Sequence, residues 1–91
     1  DQFDNTCLRY APKSANPQEN NHSDDSIDWL DLTMSFNHDL QPGQAFTLTI
    51  PFQTAAEDDD AVNTAVVQNA KDVNSQIAPD AQDQASVICK M

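Results

Sequence analysis

The feature that most constrains this chain is its pair of cysteines, which lie near opposite ends of the sequence at Cys7 and Cys89. Their wide separation excludes a C-x-x-C redox motif and the clustered ligands of a zinc site. Two cysteines so placed predict one structural disulfide between the ends of the chain. With only 91 residues available to bury a core, such a cross-link is typical of a small domain that needs help to stay folded.

A disulfide of this kind favours an oxidising compartment, so we expect a secreted, extracellular protein. The sequence starts at Asp1 without a charged and apolar leader, and we expect a mature form from which a signal peptide has been removed. Asn21 opens the tripeptide Asn-His-Ser, which makes it a candidate glycosylation site.

The charge of the chain excludes two classes of ligand. Fifteen acidic residues against four basic ones give a formal net charge of −11, which repels phosphate backbones and anionic lipid headgroups. No apolar run approaches the roughly 20 residues that cross a bilayer. We therefore predict no nucleic-acid ligand and no membrane insertion, and we expect the partner to be an unidentified protein or cell-surface molecule.

The first half of the sequence predicts strands separated by a long loop. Residues 2–11 have the pattern of a first strand, whereas residues 12–25 contain no large apolar side chain and predict a long polar surface loop. Residues 26–52 hold two alternating apolar runs around Pro42-Gly43, a pair that suits a type II turn. This pattern predicts a β-hairpin with one apolar face.

The second half predicts a helix over 54–78 and a strand over 85–91. Thr54 and Glu57 match a capping box. Apolar residues then recur at helical spacing up to Pro79. They are Val62, Val66, Ala70, Val73 and Ile77. We therefore predict one α+β domain over residues 1–91, in the order β-β-β-α-β, with two layers: an antiparallel sheet of about four strands covered by one long helix, its N- and C-terminal strands joined by the disulfide.

Candidate binding residues lie in the predicted loops and at the one tryptophan. Trp29 falls out of phase with the strand pattern that follows it, and exposed aromatic side chains anchor many protein interfaces. The alternative is that Trp29 covers one end of the core. The remaining candidates are polar loop residues: His22, His38, Asp24 and Asp25.

Acidic clusters offer oxygen ligands for a hard cation. One cluster is Asp24-Asp25 with Asp28, and the other is Glu57, Asp58, Asp59 and Asp60. Neither has the glycine and distant glutamate of an EF-hand loop, and the second also suits the positive end of the predicted helix dipole. We prefer the dipole explanation, so residues 57–60 remain weak metal candidates and no cofactor is predicted.

The sequence contains no assembled catalytic motif. It lacks a nucleophile elbow, a glycine-rich phosphate loop and a zinc-protease motif, and the predicted disulfide uses both thiols. We predict a non-enzymatic protein that binds another macromolecule through the 12–25 loop, the 37–44 turn or Trp29. The alternatives are an extracellular cation-binding protein and an acidic inhibitor of a basic partner such as a nuclease.

One segment has a family resemblance. LQPGQAFTLTIPF, residues 40–52, resembles the turn-and-strand sequence of secreted immunoglobulin-like adhesin domains, which implies a β-sandwich from which the predicted helix departs. In size, sequence start and disulfide, the chain also resembles small secreted fungal proteins of the effector or killer-toxin kind. We assign it to no family on these grounds.

Overall fold

The computed structural model describes residues 1–90, apart from the side chain of Asp59; Met91 lies outside the described residues. Within them the backbone forms seven strands and one short helix. In chain order these are β1 (Gln2–Phe3), β2 (Leu8–Tyr10), β3 (Asn21–His22), β4 (Ile27–Asp28), α1 (Leu32–Phe36), β5 (Phe52–Thr54), β6 (Asp58–Val67) and β7 (Ala81–Cys89).

The strands pair in three antiparallel sheets, of which β1-β6-β7 is the largest. β6 and β7 form a long hairpin whose register runs from Ala61 opposite Val87 to Val67 opposite Ala81. β1 pairs with the middle of β6, where Gln2 lies opposite Thr64 and Phe3 lies opposite Asn63. The β2-β5 and β3-β4 pairs complete the N-terminal part of the fold.

The predicted helix over 54–78 is wrong, and with it the two-layer α+β fold. Thr54 ends β5, β6 occupies Asp58–Val67, and residues 68–80 form a loop. Asn69 and Ser75 have left-handed backbone conformations, with φ of 58° and 61°, which a right-handed helix excludes. The described residues instead form a mostly β-strand protein in which no helix covers a sheet.

The segment predicted as a hairpin, 26–52, is not one in the structure. α1 replaces the first alternating run, and only Phe52 of the second run enters a strand. Asp31 caps α1, because its carboxylate accepts a hydrogen bond from the Thr33 amide at 3.0 Å, and Asn37 ends the helix with φ of 63°. These local hydrogen bonds favour a turn of helix over an extended strand.

Other predicted bounds also shift. The first strand, 2–11, is two short strands, β1 and β2, and the predicted loop 12–25 contains β3. The C-terminal strand begins four residues before the predicted start, at Ala81, and ends at Cys89.

The predicted disulfide is confirmed. Cys7 and Cys89 are bonded, with Cα atoms 6.2 Å apart and a sequence separation of 82. Both are buried, and the bond ties the end of β7 to the start of β2 inside the core. The other buried members of this core are Phe3, Leu8, Ile27 and Ala61, and the half-buried side chains packed against it are Tyr10, Trp29, Ile50 and Phe52.

The described chain is elongated, with principal dimensions of 48 × 23 × 22 Å. Residues 65–88 are all exposed, and we call them the arm, residues 68–80 its tip loop, and the rest of the described chain the head. No helix in the described part is long and apolar enough to cross a membrane.

Candidate functional site

The head has an open cleft that brings some predicted residues together. Its volume is about 400 Å³, and its walls include His22 and Asp24. The other lining residues are Phe3, Arg9, Tyr10, Pro12 and Ser23. Arg9 donates hydrogen bonds to the main-chain oxygens of Asn5 and Leu8, so its guanidinium is held against its own segment.

Beside this cleft, the structure buries a carboxylate that the sequence did not indicate. The side chain of Glu19 is only 1% exposed, and its Oε2 lies 3.2 Å from Nδ1 of His22. Glu19 accepts hydrogen bonds from the Tyr10 hydroxyl at 2.7 Å and the Lys13 amide at 3.0 Å. Burial raises the pKa of the Glu19 carboxyl, but these hydrogen bonds and the His22 charge outweigh it and hold the pKa below its ordinary value of 4.5.

Tyr10 links Glu19 to the neighbouring loop. Burial, and after it the hydrogen bond to Glu19, raises the pKa of the Tyr10 hydroxyl. The same oxygen accepts a hydrogen bond from the Ala15 amide at 2.9 Å. Tyr10, Glu19 and the amides that they bond all lie within residues 10–19. The network therefore stabilises the conformation of this loop and presents no free reactive group.

Trp29 is half-buried and packs against the core. Its indole nitrogen donates a hydrogen bond to the main-chain oxygen of Pro17 at 2.9 Å. The side chain therefore joins the predicted 12–25 loop to the core, as in the alternative considered for it above.

The remaining loop candidates are dispersed over the head surface. His38 is exposed, lies with its ring 5.3 Å from that of Phe46, and is not among the residues that line the cleft. Asp25 and Asn21 are exposed, and Asn21 lies in β3 opposite Asp28. The exposed Asn21 side chain keeps the glycosylation prediction open.

The acidic cluster at 57–60 lies at the start of a strand, so the helix-dipole explanation for it is wrong. Glu57 and Asp60 are exposed and Asp58 is half-buried, while the Asp59 side chain is outside the described residues. The Asp58 carboxylate accepts a hydrogen bond from the Asp60 amide at 3.0 Å. Among the described residues, no group of three or more acidic, histidine or cysteine side chains converges as metal ligands would.

The tip loop of the arm has its own hydrogen-bonded structure. Asp72 and Gln76 are joined by a main-chain hydrogen bond of 2.9 Å, and Ala78 donates to the oxygen of Ala70 at 2.7 Å. The Asp72 carboxylate accepts from the amides of Asn74 and Gln76, at 2.8 and 3.0 Å. Val73 follows Asp72 within this turn and is 100% exposed. Ile77 directly follows Gln76 and is 62% exposed.

One face of the arm continues the buried face of the hairpin base. Side chains directly opposite one another share a face, and side chains two positions apart do so as well. The register therefore places a set of exposed small apolar residues in line with the buried Ala61, on a face that also carries Asn63 and Asp83: Ala65, Val67, Ala81, Ala85 and Val87. Within the head and arm described, these residues have no covering layer.

Comparison with known proteins identifies no relative: the sequence matches no family model and no curated protein, and the fold matches no solved structure.

Proposed function

We propose that this chain is a secreted, acidic, non-enzymatic protein that binds another protein through the tip loop of its arm. The observation that supports this most is the exposure of Val73 and Ile77 on a hydrogen-bonded turn. Exposed apolar side chains at one site are typical of interaction surfaces. A turn whose backbone is already ordered also loses less entropy on binding than a free loop does.

The charge around the tip indicates the chemistry of the partner. Asp72, Asp80 and Asp83 lie within or next to the tip loop, and Lys71 is its only basic residue. The chain as a whole carries a net charge of −11. A partner with an apolar pocket rimmed by Lys and Arg complements both the apolar tip and the acidic surroundings, and opposite charge accelerates association.

The head supports the arm in this proposal. The disulfide lies where β7 enters the core, so the base of the arm is held covalently while its tip extends into solvent. Of the polar side chains that line the cleft, Arg9 and Tyr10 are hydrogen-bonded within the head, as is Glu19 beside it. The proposal therefore assigns binding to the arm and a structural role to the head.

Substituting Val73 and Ile77 together by serine is expected to weaken partner binding at least about 30-fold. The reason is that removing two apolar anchors from an interface costs about 2 kcal/mol or more. The disulfide-intact protein is immobilised, a mixture of extracellular and cell-surface proteins is passed over it, and the affinity of the retained protein is measured for each variant by titration calorimetry.

Leu30→Ser/Met34→Ser is the matched control. These two side chains are 77% and 74% exposed on the head, so the control loses similar apolar surface away from the arm and should bind within about twofold of the unmodified protein. Equal affinity of the tip variant and the unmodified protein would rule the proposal out. An affinity that collapses with moderate salt but ignores the tip substitutions would instead support the acidic-inhibitor alternative.

A further inference from the structure

The outer edge of β7 lacks a strand neighbour among the described residues. Protein edge strands usually carry a proline, several charges or a bulge that prevents pairing with other chains. β7 is nine residues long, contains no proline and has one charged residue, Asp83. Its register with β6 is regular from Val87 to Ala81, and the register shift lies beyond this part, where Asp58 is opposite Cys89. Residues 81–88 are exposed, so the outer backbone groups of the regular part are open to a further strand.

We propose that β7 pairs antiparallel with β7 of a second copy of this chain, about a twofold axis that is perpendicular to the sheet and passes midway between the Ala85 residues of the two copies. Such an axis keeps the same face upward in both copies, so opposite residues must both be odd or both be even in number. Ala85 is the midpoint of β7, and this register is therefore the one that pairs the whole strand with itself. Ala81 lies opposite Cys89 of the second copy, and Asp83 lies opposite Val87.

The same register is complementary in charge. Asp80 and Lys90 each flank β7 by one residue, so Asp80 of each copy lies opposite Lys90 of the other. Opposite charges across a strand pair stabilise it, whereas like charges destabilise it. No two acidic side chains lie directly opposite, because Asp83 faces an apolar residue. These two symmetric ion pairs oppose the repulsion between two chains of net charge −11.

The product is one continuous six-stranded sheet in the order β1-β6-β7-β7-β6-β1. The exposed small apolar residues of the two arms lie side by side on the same face of that sheet, since the twofold axis preserves the face. Ala85 of one copy lies opposite Ala85 of the other, where small side chains allow close approach. This inference concerns the edge of the arm and does not rest on the proposed function of its tip.

Sedimentation velocity of the disulfide-intact protein, from low micromolar to about 1 mM, tests the pairing at an ionic strength of about 0.15 M, where long-range repulsion is screened. The unmodified chain is expected to form a dimer. Asp80→Lys alone and Lys90→Asp alone should each weaken it about tenfold, because each converts both ion pairs to like-charge pairs. Asp80→Lys/Lys90→Asp should restore the dissociation constant to within about threefold.

The charge exchange separates the register from a general effect of net charge. Asp80→Lys makes the chain less acidic, so charge alone would strengthen dimerisation of that variant. A tighter Asp80→Lys dimer, or a double variant no better than the single ones, would overturn the proposal. A chain that stays monomeric throughout the concentration range would overturn it too, and would leave the β7 edge to a strand from a different protein. Val73→Ser/Ile77→Ser should dimerise normally, so failure of tip binding and failure of dimerisation are distinguishable.

Discussion

Replacing Cys7 and Cys89 together by alanine is expected to unfold most of the protein at room temperature. In the chain-entropy account, a cross-link between residues 82 positions apart contributes roughly 4–5 kcal/mol by restricting the unfolded chain. Small single-core domains have a total stability near the lower end of about 5–15 kcal/mol. The core described above has few fully buried large side chains, chiefly Ile27, so little stability remains without the bond.

Urea unfolding followed by the fluorescence of Trp29 measures this effect, because that side chain packs against the core. Reduction of the unmodified protein is the companion experiment: it breaks the bond but keeps both buried sulfurs, and so separates the cross-link from its packing. The reduced protein should be destabilised nearly as much as the alanine variant. Equal urea midpoints for the oxidised and reduced proteins would contradict this explanation of the fold's stability.

Substituting Glu19 by glutamine is expected to lower the free energy of unfolding by about 1–3 kcal/mol at pH 7. The glutamine amide has nearly the same shape, but it loses the charge that strengthens the hydrogen bonds from Tyr10 and Lys13. The glutamine side chain also carries an NH₂ donor in place of one carboxylate oxygen. The Tyr10 hydroxyl and the Lys13 amide are donors as well, so one of them loses its acceptor. Thermal or urea unfolding of the two proteins measures the difference.

The effect of Glu19→Gln should depend on pH in a stated direction. The pKa of Glu19 in the folded protein lies below its ordinary value of 4.5, so the carboxylate stabilises the fold fully above that pH. This contribution is lost as the pH falls through the folded-state pKa. The two unfolding curves should therefore converge in acid. Glu57→Gln, at the exposed second glutamate, is the matched control and should have little effect at any pH; a Glu19→Gln deficit that is constant into acid would refute the mechanism.

The sequence predicts the covalent framework correctly because only two thiols are available and both lie in segments with apolar neighbours. It predicts the elements around them poorly. Val62 and Val66 are four residues apart, and four is close to one helical turn but is also an even number, so both residues share a face in either structure. Pairing with β7, about twenty residues further along the chain, favours a strand over a helix for this segment. No local pattern reveals that pairing.

The strand predicted from the alternating run between Leu30 and Phe36 is wrong for the opposite reason, because a local interaction favours a helix there. The Asp31 carboxylate accepts hydrogen bonds from the Thr33 amide and hydroxyl. This cap starts α1 where period-two alternation predicts a strand. Asp31 followed by Thr33 is a signal that could have been used.

The candidate site was less predictable than the fold. Glu19 lies in a stretch without large apolar residues, and its buried carboxylate accepts hydrogen bonds from the Tyr10 hydroxyl and the Lys13 main-chain amide, contacts that no local pattern indicates. The sequence pattern does not reveal the tip loop, because helical spacing places Val73 and Ile77 on the buried face of a helix. Once residues 58–67 pair with residues 81–89, the same two side chains extend into solvent.

Hydrogen–deuterium exchange of the disulfide-intact protein, free and bound to the partner retained in the capture experiment, tests the proposed role of the arm most directly. Exchange reports which backbone amides become protected on binding. We predict that protection rises in residues 68–80 while the loops at 12–25 and 37–44 exchange as before. Protection gained in either of those head loops, with residues 68–80 unchanged, would contradict binding through the arm.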